Sequence, residues 1–219
     1  MSQSPTLTLA IIFAAIFLIL RWRPFFAFRP FIKAAMAVLL AVYCLQTPTV
    51  PLTIMATGFA LSALGDFFLD LRGERWFLPG LFAFFAAHVA FAVYLFGHMV
   101  PLSMFTPIEW GMSATLIAAT VAFYIWLRPS LPRDMKIPVA AYSLIITIMG
   151  ITALTTTLAS IFVPVGALLF IASDVVLATE RFKFKFPLDK QINWALYASG
   201  QILLAIGVVA TSGVTQNYY

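Results

Sequence analysis

Long apolar runs alternate along the chain with short breaks rich in Pro, Arg and Lys. The runs predict eight helices, near residues 5–20, 31–46, 50–70, 76–97, 108–127, 137–158, 161–179 and 192–211. A helix needs roughly 20 apolar residues to cross a bilayer, so each run is a candidate span, the first two being short. The breaks have physical causes: Pro48 and Pro51, Pro101 and Pro107, Pro129 and Pro132, and Pro164 each remove a backbone donor and disfavour helix just upstream. The expected fold is all-α: a polytopic membrane bundle of eight transmembrane helices forming a single domain over 1–219.

Composition agrees with the pattern. Of the 219 residues 63% are hydrophobic and only 10% are charged, with a mean hydropathy of +1.00, whereas soluble domains are about 25% charged. The basic residues then orient the helices, because Lys and Arg collect in cytoplasmic loops. Arg21, Arg23, Arg29 and Lys33 lie between the first two runs, and Arg72 and Arg75 between the third and fourth. Arg128, Arg133 and Lys136 follow the fifth, and Arg181, Lys183, Lys185 and Lys190 the seventh. These are all 13 Lys and Arg of the chain, so both termini are expected to be non-cytoplasmic. The net charge of +5 then marks a membrane surface and not nucleic acid. Likewise, the alternation of basic and Phe residues over 181–186 reads as interfacial anchoring. In a bacterium the membrane would be the cytoplasmic (inner) one.

Positive charge follows the first run instead of preceding it, which is wrong for a cleaved signal peptide, so that run is expected to stay as a helix. The single cysteine, Cys44, excludes an internal disulfide and a Cys-based metal cluster, and reads as packing. Oligomeric state leaves no trace in the pattern.

Six of the eight acidic residues, Asp70, Glu74, Glu109, Asp134, Glu180 and Asp189, fall in loops or at helix ends and are expected to be solvated. Two do not. Asp66 lies within the third run and Asp174 within the seventh, and a carboxylate at membrane depth normally faces the bundle interior and marks a functional site. Counted from Arg72 and Arg181, each sits ~9–11 Å inside the cytoplasmic charges, and the same count brings Tyr142 and Tyr197 to that layer. Ser62 lies one turn from Asp66, and Gln201 one turn from Tyr197. Gly58, Ser62 and Asp66 recur every four residues beside Gly65, a small-residue ridge suited to close helix packing. His88 counts as deeper, ~20 Å beyond Arg75, where a plain interhelical hydrogen bond competes with a functional role. His98 reads as interfacial. Two histidines at different depths lack the ligands for a zinc site, so neither metal nor cofactor is expected.

Read together, these residues resemble the lysoplasmalogenase, or YhhN-like, family of membrane proteins. The likeness is carried by Lys33; by Gly58, Ser62, Gly65, Asp66 and Leu69 in S-x-x-G-D-x-x-L; and by Gly80, Phe84 and His88 in G-x-x-x-F-x-x-x-H. It continues through Tyr142, then Gly166, Ala167, Phe170, Ser173 and Asp174 in G-A-x-x-F-x-x-S-D, and Tyr197 and Gln201 in Y-x-x-x-Q. One departure is Ala34, where the family often has Pro after the lysine. The resemblance implies hydrolysis of the vinyl-ether bond of a lyso-lipid, giving a fatty aldehyde and glycerophosphoethanolamine or glycerophosphocholine, with Asp66 and Asp174 as the catalytic pair.

The chemistry suits two carboxyl groups. Protonating the carbon–carbon double bond of a vinyl ether makes an oxocarbenium ion that water captures, which calls for an acid beside an ionised carboxylate, as in glycosidases. The sequence does not assign the two roles. Tyr142, Tyr197, Gln201, Ser62 and Ser173 are candidates to orient water or a carboxylate, with ordinary interhelical bonding the competing reading. Lys33 lies where a lipid phosphate would be, with surface anchoring as its alternative. A rival function is a proton-coupled transporter or lipid carrier, supported by the small-Asp-x-x-Leu pattern shared by runs three and seven, a hint of a four-plus-four repeat. A carrier needs access from both faces; an enzyme needs a pocket open to one face and to lipid.

Overall fold

Among residues 4–47 and 50–212, which a computed structural model describes, four short 3-10 turns accompany eight α-helices. They are α1 (Pro5–Leu20), α2 (Arg29–Leu45), α3 (Val50–Asp70), α4 (Phe77–Phe96), α5 (Pro107–Leu127), α6 (Lys136–Leu154), α7 (Phe162–Phe182) and α8 (Asp189–Ser212). No strand occurs among the described residues, and Pro48, one of the expected helix breakers, lies outside them. Six segments, those built on α3 to α8, are long and apolar enough to cross a membrane; α1 and α2, at 16 and 17 residues, are shorter. The chain is a multi-pass membrane protein.

Local chemistry sets the helix ends. Pro30 in the first turn starts α2 two residues earlier than the apolar run implies, because its missing N–H is not needed there. Thr106 and Glu109 form a reciprocal capping box that opens α5. Asp189 opens α8, where its carboxylate meets the positive end of the helix and accepts from the Phe186 N–H. The expected start at 192 misses this turn because its residues are polar. At the other end of the bundle α6 stops at Leu154, short of the expected 158, because the Thr155–Thr157 segment pairs with the loop after α4. Val100 N–H donates to the Thr155 carbonyl at 2.9 Å and Thr157 N–H to that of His98 at 2.6 Å.

α2, α3 and α4 pack side by side, α7 lies along α8, and α1 closes against α2 and α8. α6 joins the two groups through α4, while α5 touches mainly α6 and buries little of itself. The small residues of α3 receive aromatic rings from α4, Phe91 over Gly58 and Phe84 over Gly65. Gly166 and Gly200 bring the α7 and α8 backbones together: a methyl added at Gly166 would lie 2.7 Å from the Leu204 nitrogen. The loops α1–α2, α3–α4 and α7–α8 gather at one end, where their basic residues border a common cavity. Lys183 donates to the Trp126 carbonyl at the C-terminal end of α5, which places the α5–α6 loop at this end too.

Not every acidic residue at this end meets water. Asp70 is only 4% exposed, held by a two-pronged pair with Arg29 at 2.8 and 2.9 Å and by Arg21 at 3.7 Å. Asp189 is buried as well. The solvated reading of both fails because the α1–α2 loop and the start of α2 fold under the end of α3, and because Asp189 turns back to cap its own helix.

Candidate active site

Asp66 and Asp174 stand on the wall of one polar cavity of about 360 Å³ at the basic end of the bundle. No hydrogen bond joins them, and each has its own partners. Asp66, 1% exposed, accepts a hydrogen bond from Tyr197 Oη on Oδ2 at 2.6 Å and faces Lys33 Nζ with Oδ1 at 3.2 Å. Lys33 lies one turn inside α2 with its ammonium turned inward, 5.9 Å from the centre of the Trp194 ring. It is therefore a counter-ion and not a surface anchor. Trp194 is fixed by its own donation to the Ala14 carbonyl at 2.9 Å.

Asp174 has a different setting. Its Oδ2 accepts from Tyr142 Oη at 2.9 Å and lies 3.8 Å from His88 Nε2, and its side chain is 15% exposed. No Lys or Arg pairs with it among the described residues. The other imidazole nitrogen, Nδ1, lies 2.7 Å from the Phe84 carbonyl oxygen, which can only accept, so Nδ1 carries a proton. Nε2, without a hydrogen-bond partner among the described residues, is then the nitrogen that faces Asp174. The depth count separates His88 from the aspartates because it starts at Arg75, which stands in a 3-10 turn ahead of α4. Measured from the helix itself His88 is shallower, and its ring bridges the remaining gap.

Phe84 and Phe170 pack against the partners of the two carboxylates. The Phe170 ring packs 5.2 Å from that of Tyr197 and 4.6 Å from that of His88, and Phe84 lies 5.7 Å from Tyr197. One turn further from the basic end, Ser62 and Gln201 are fully buried, and neither side chain has a hydrogen-bond partner among the described residues. α3 and α8 run antiparallel, so these two residues sit level with each other, one turn beyond the Asp66–Tyr197 bond. Ser173 donates to the Phe170 carbonyl of its own helix at 2.7 Å. Asn193, which sequence reasoning passed over, lines the cavity and donates to the Ser173 carbonyl at 2.7 Å; a single amide near a helix start gives no signal of its own.

A second cavity, an apolar groove of about 140 Å³, runs between α4, α5, α6 and α7. Leu116, Phe123, Val139, Ile171 and Val175 border it, with Tyr142 and Asp174 at its polar end. Asp174, Leu69, Phe77, Phe84 and Leu177 line both cavities, so the groove and the basic cavity meet at Asp174. On the far side of the site the interior is filled: Phe59, Phe91, Leu95 and Met149 are fully buried.

The fold and site thus define a multi-pass membrane protein whose buried carboxylates sit where a basic cavity joins an apolar groove. The chain belongs to the YhhN family, whose sequence model matches residues 28–208. Among its relatives, a lysoplasmalogenase of Mycobacterium bovis is 34% identical over 185 residues, 82% of this chain and 69% of the relative. The human lysoplasmalogenase TMEM86B is 31% identical over 183 residues, 80% and 75% of the two chains. The bovine lysoplasmalogenase TMEM86A is 29% identical over 177 residues, 76% and 69%. No solved structure matches.

Proposed function

We propose that this protein is a lysoplasmalogenase, a membrane hydrolase that cleaves the vinyl-ether bond of lysoplasmalogens to a fatty aldehyde and glycerophosphoethanolamine or glycerophosphocholine. The observation that carries the reading is the meeting of the two cavities at Asp174. A lysoplasmalogen has one hydrocarbon chain and one charged head group, and its vinyl ether lies between them. With the chain in the groove and the head group in the basic cavity, the reacting bond falls beside Asp174. In this reading 1–219 form one transmembrane unit of eight spans. α1 enters from, and α8 returns to, the non-cytoplasmic side, and the basic loops are cytoplasmic.

Asp174 is the acid. Among the described residues no Lys or Arg holds it ionised, and it faces the hydrocarbon side of the ether, where the carbon to be protonated lies. Transfer of its proton to that carbon consumes the double bond and leaves the positive charge on the ether C–O unit. The Asp66 carboxylate, kept ionised by Lys33, stabilises that cation across the cavity. Water adds to the cationic carbon, and its proton returns to the Asp174–His88 pair. The resulting hemiacetal then splits into aldehyde and glycerol hydroxyl with no net change in protons. Tyr142 and Tyr197 fix the two carboxylates, and Gln201 and Ser62 offer the hydrogen-bonding groups that a stored water needs. A carrier would need a second opening, and the packed layer of Phe59, Phe91 and Met149 stands where it would be.

The test is aldehyde release by the purified protein in detergent supplied with lysoplasmalogen, with Asp66→Asn and Asp174→Asn beside it. Loss in both variants supports the carboxylate mechanism; full activity in both removes it.

A further inference from the structure

The outer part of the polar cavity carries more cationic side chains than the aspartates engage. Seven Lys and Arg side chains line it. Lys33 is paired with Asp66, Arg29 with Asp70 through both guanidinium prongs, and Arg181 with Glu74 at 3.4 Å. Arg72 stacks 4.5 Å over the Phe25 ring. Lys185 and Lys190 remain, and Arg21 is only partly engaged: it reaches Asp70 with Nη1 at 3.7 Å and lies 5.8 Å from the Phe17 ring centre, while its Nε is buried with no hydrogen-bond partner among the described residues. Lys185 and Lys190 make no ion pair among the described residues, although both line the cavity. Glu180 lines the cavity with these three and, with Asp189 as a neighbouring carboxylate, feels the charge of Lys190, Arg21 and Lys185, yet forms no ion pair with any of them among the described residues. A buried guanidinium N–H and two unpaired ammonium groups around a free carboxylate match the two ends of a phospho-ammonium zwitterion.

We propose that Arg21, Lys185 and Lys190 form a phosphate site at the mouth of the cavity, with Glu180 beside them to take the head group's ammonium. The inference rests on the lysoplasmalogenase reading and deepens it. α7 connects the two sites: Glu180 lies six residues, ~9 Å of helix, from Asp174, so a head group held here leaves the rest of the lyso-lipid to run inward toward the acid. Charge–charge contacts with the substrate phosphate are then what selects a phospholipid over a neutral vinyl ether. Lys33, the residue that the sequence places at the phosphate, is already committed to Asp66.

The experiment compares kcat/KM for lysoplasmenylethanolamine, for 1-alkenylglycerol lacking the phosphate, and for 1-alkenylglycerol phosphate lacking the amine. Neutral detergent micelles are used so that no bulk phospholipid competes. The full-length protein is assayed as wild type, Arg21→Gln, Lys185→Gln/Lys190→Gln and Glu180→Gln. Lys185 and Lys190 are exposed and unpaired, so their variant keeps the test open should Arg21→Gln fail to fold. The wild-type preference for phosphate-bearing over phosphate-free substrate is expected to fall about tenfold or more in the basic-residue variants, one lost charged contact being worth about that factor. Glu180→Gln is expected to lower only the preference for the amine-bearing head group. Ratios unchanged within about twofold overturn the site while leaving the hydrolase reading intact. If the wild-type protein releases aldehyde from none of the three, the reading fails and the site with it.

Discussion

The two aspartates occupy equivalent places in the two halves of the chain and are held differently. Asp66 on α3 takes one partner from the preceding helix, Lys33 on α2, and one from the last helix of the other half, Tyr197 on α8. Asp174 on α7 repeats the scheme with Tyr142 on α6 and His88 on α4. A cation and a tyrosine surround the first carboxylate, and a tyrosine and an imidazole the second. The helices differ in the same sense: α2 packs along α3, while α6 meets α7 over far less of its length, and the apolar groove fills that gap. The third helices of the two sets of four thus carry one carboxylate that is closed in and charge-compensated and one that borders an apolar groove. Changing the partners of one carboxylate and then of the other tests the proposed division into acid and cation stabiliser.

The largest expected effect in that comparison is on rate. Asp174→Asn is expected to lower kcat by about 10²–10⁴, the range typical of a positioned acid. Asp66→Asn is expected to lower it less, because a dipole still faces the cation; equal losses in aldehyde-release assays would erase the distinction. Next comes stability. Lys33→Met leaves the Asp66 charge buried and unpaired, a loss of about 3–5 kcal/mol. Adding Asp66→Asn is expected to restore much of it, as read by unfolding in detergent, whereas adding Asp174→Asn restores none. His88→Gln is expected to reduce kcat by about 10², the low end for an acid–base group, with KM unchanged. A KM effect alone would make His88 a packing residue. The smallest effect separates the tyrosines: Tyr197→Phe removes a bond to an ionised group and costs about 1.5–3 kcal/mol, against about 0.5–1.5 for Tyr142→Phe.

Much of this comparison can be read from sequence, for reasons that also mark where reading stops. Lys and Arg are confined to alternate breaks, and helical rise is constant, so counting residues from the charges places Asp66, Asp174, Tyr142 and Tyr197 in one layer. The structure resolves that layer into two Tyr–Asp pairs. What depends on how helices lie against one another escapes the count. The splay of α6 from α7, which opens the groove, leaves no local signature. The inward turn of Lys33 follows from where α3 sits, and the burial of Asp70 from the fold-back of the α1–α2 loop. His88 is misplaced because the residues that end a loop are not those that begin a helix.

Proton transfer from the Asp174 side of the site to carbon is open to a direct measurement, hydrolysis of lysoplasmalogen in D₂O with the aldehyde reduced as it forms. Product made by the wild-type protein is expected to carry a single deuterium on the carbon next to the former aldehyde, and Asp174→Asn is expected to yield almost no product. Aldehyde without deuterium at that carbon, or undiminished labelled product from Asp174→Asn, would contradict this transfer.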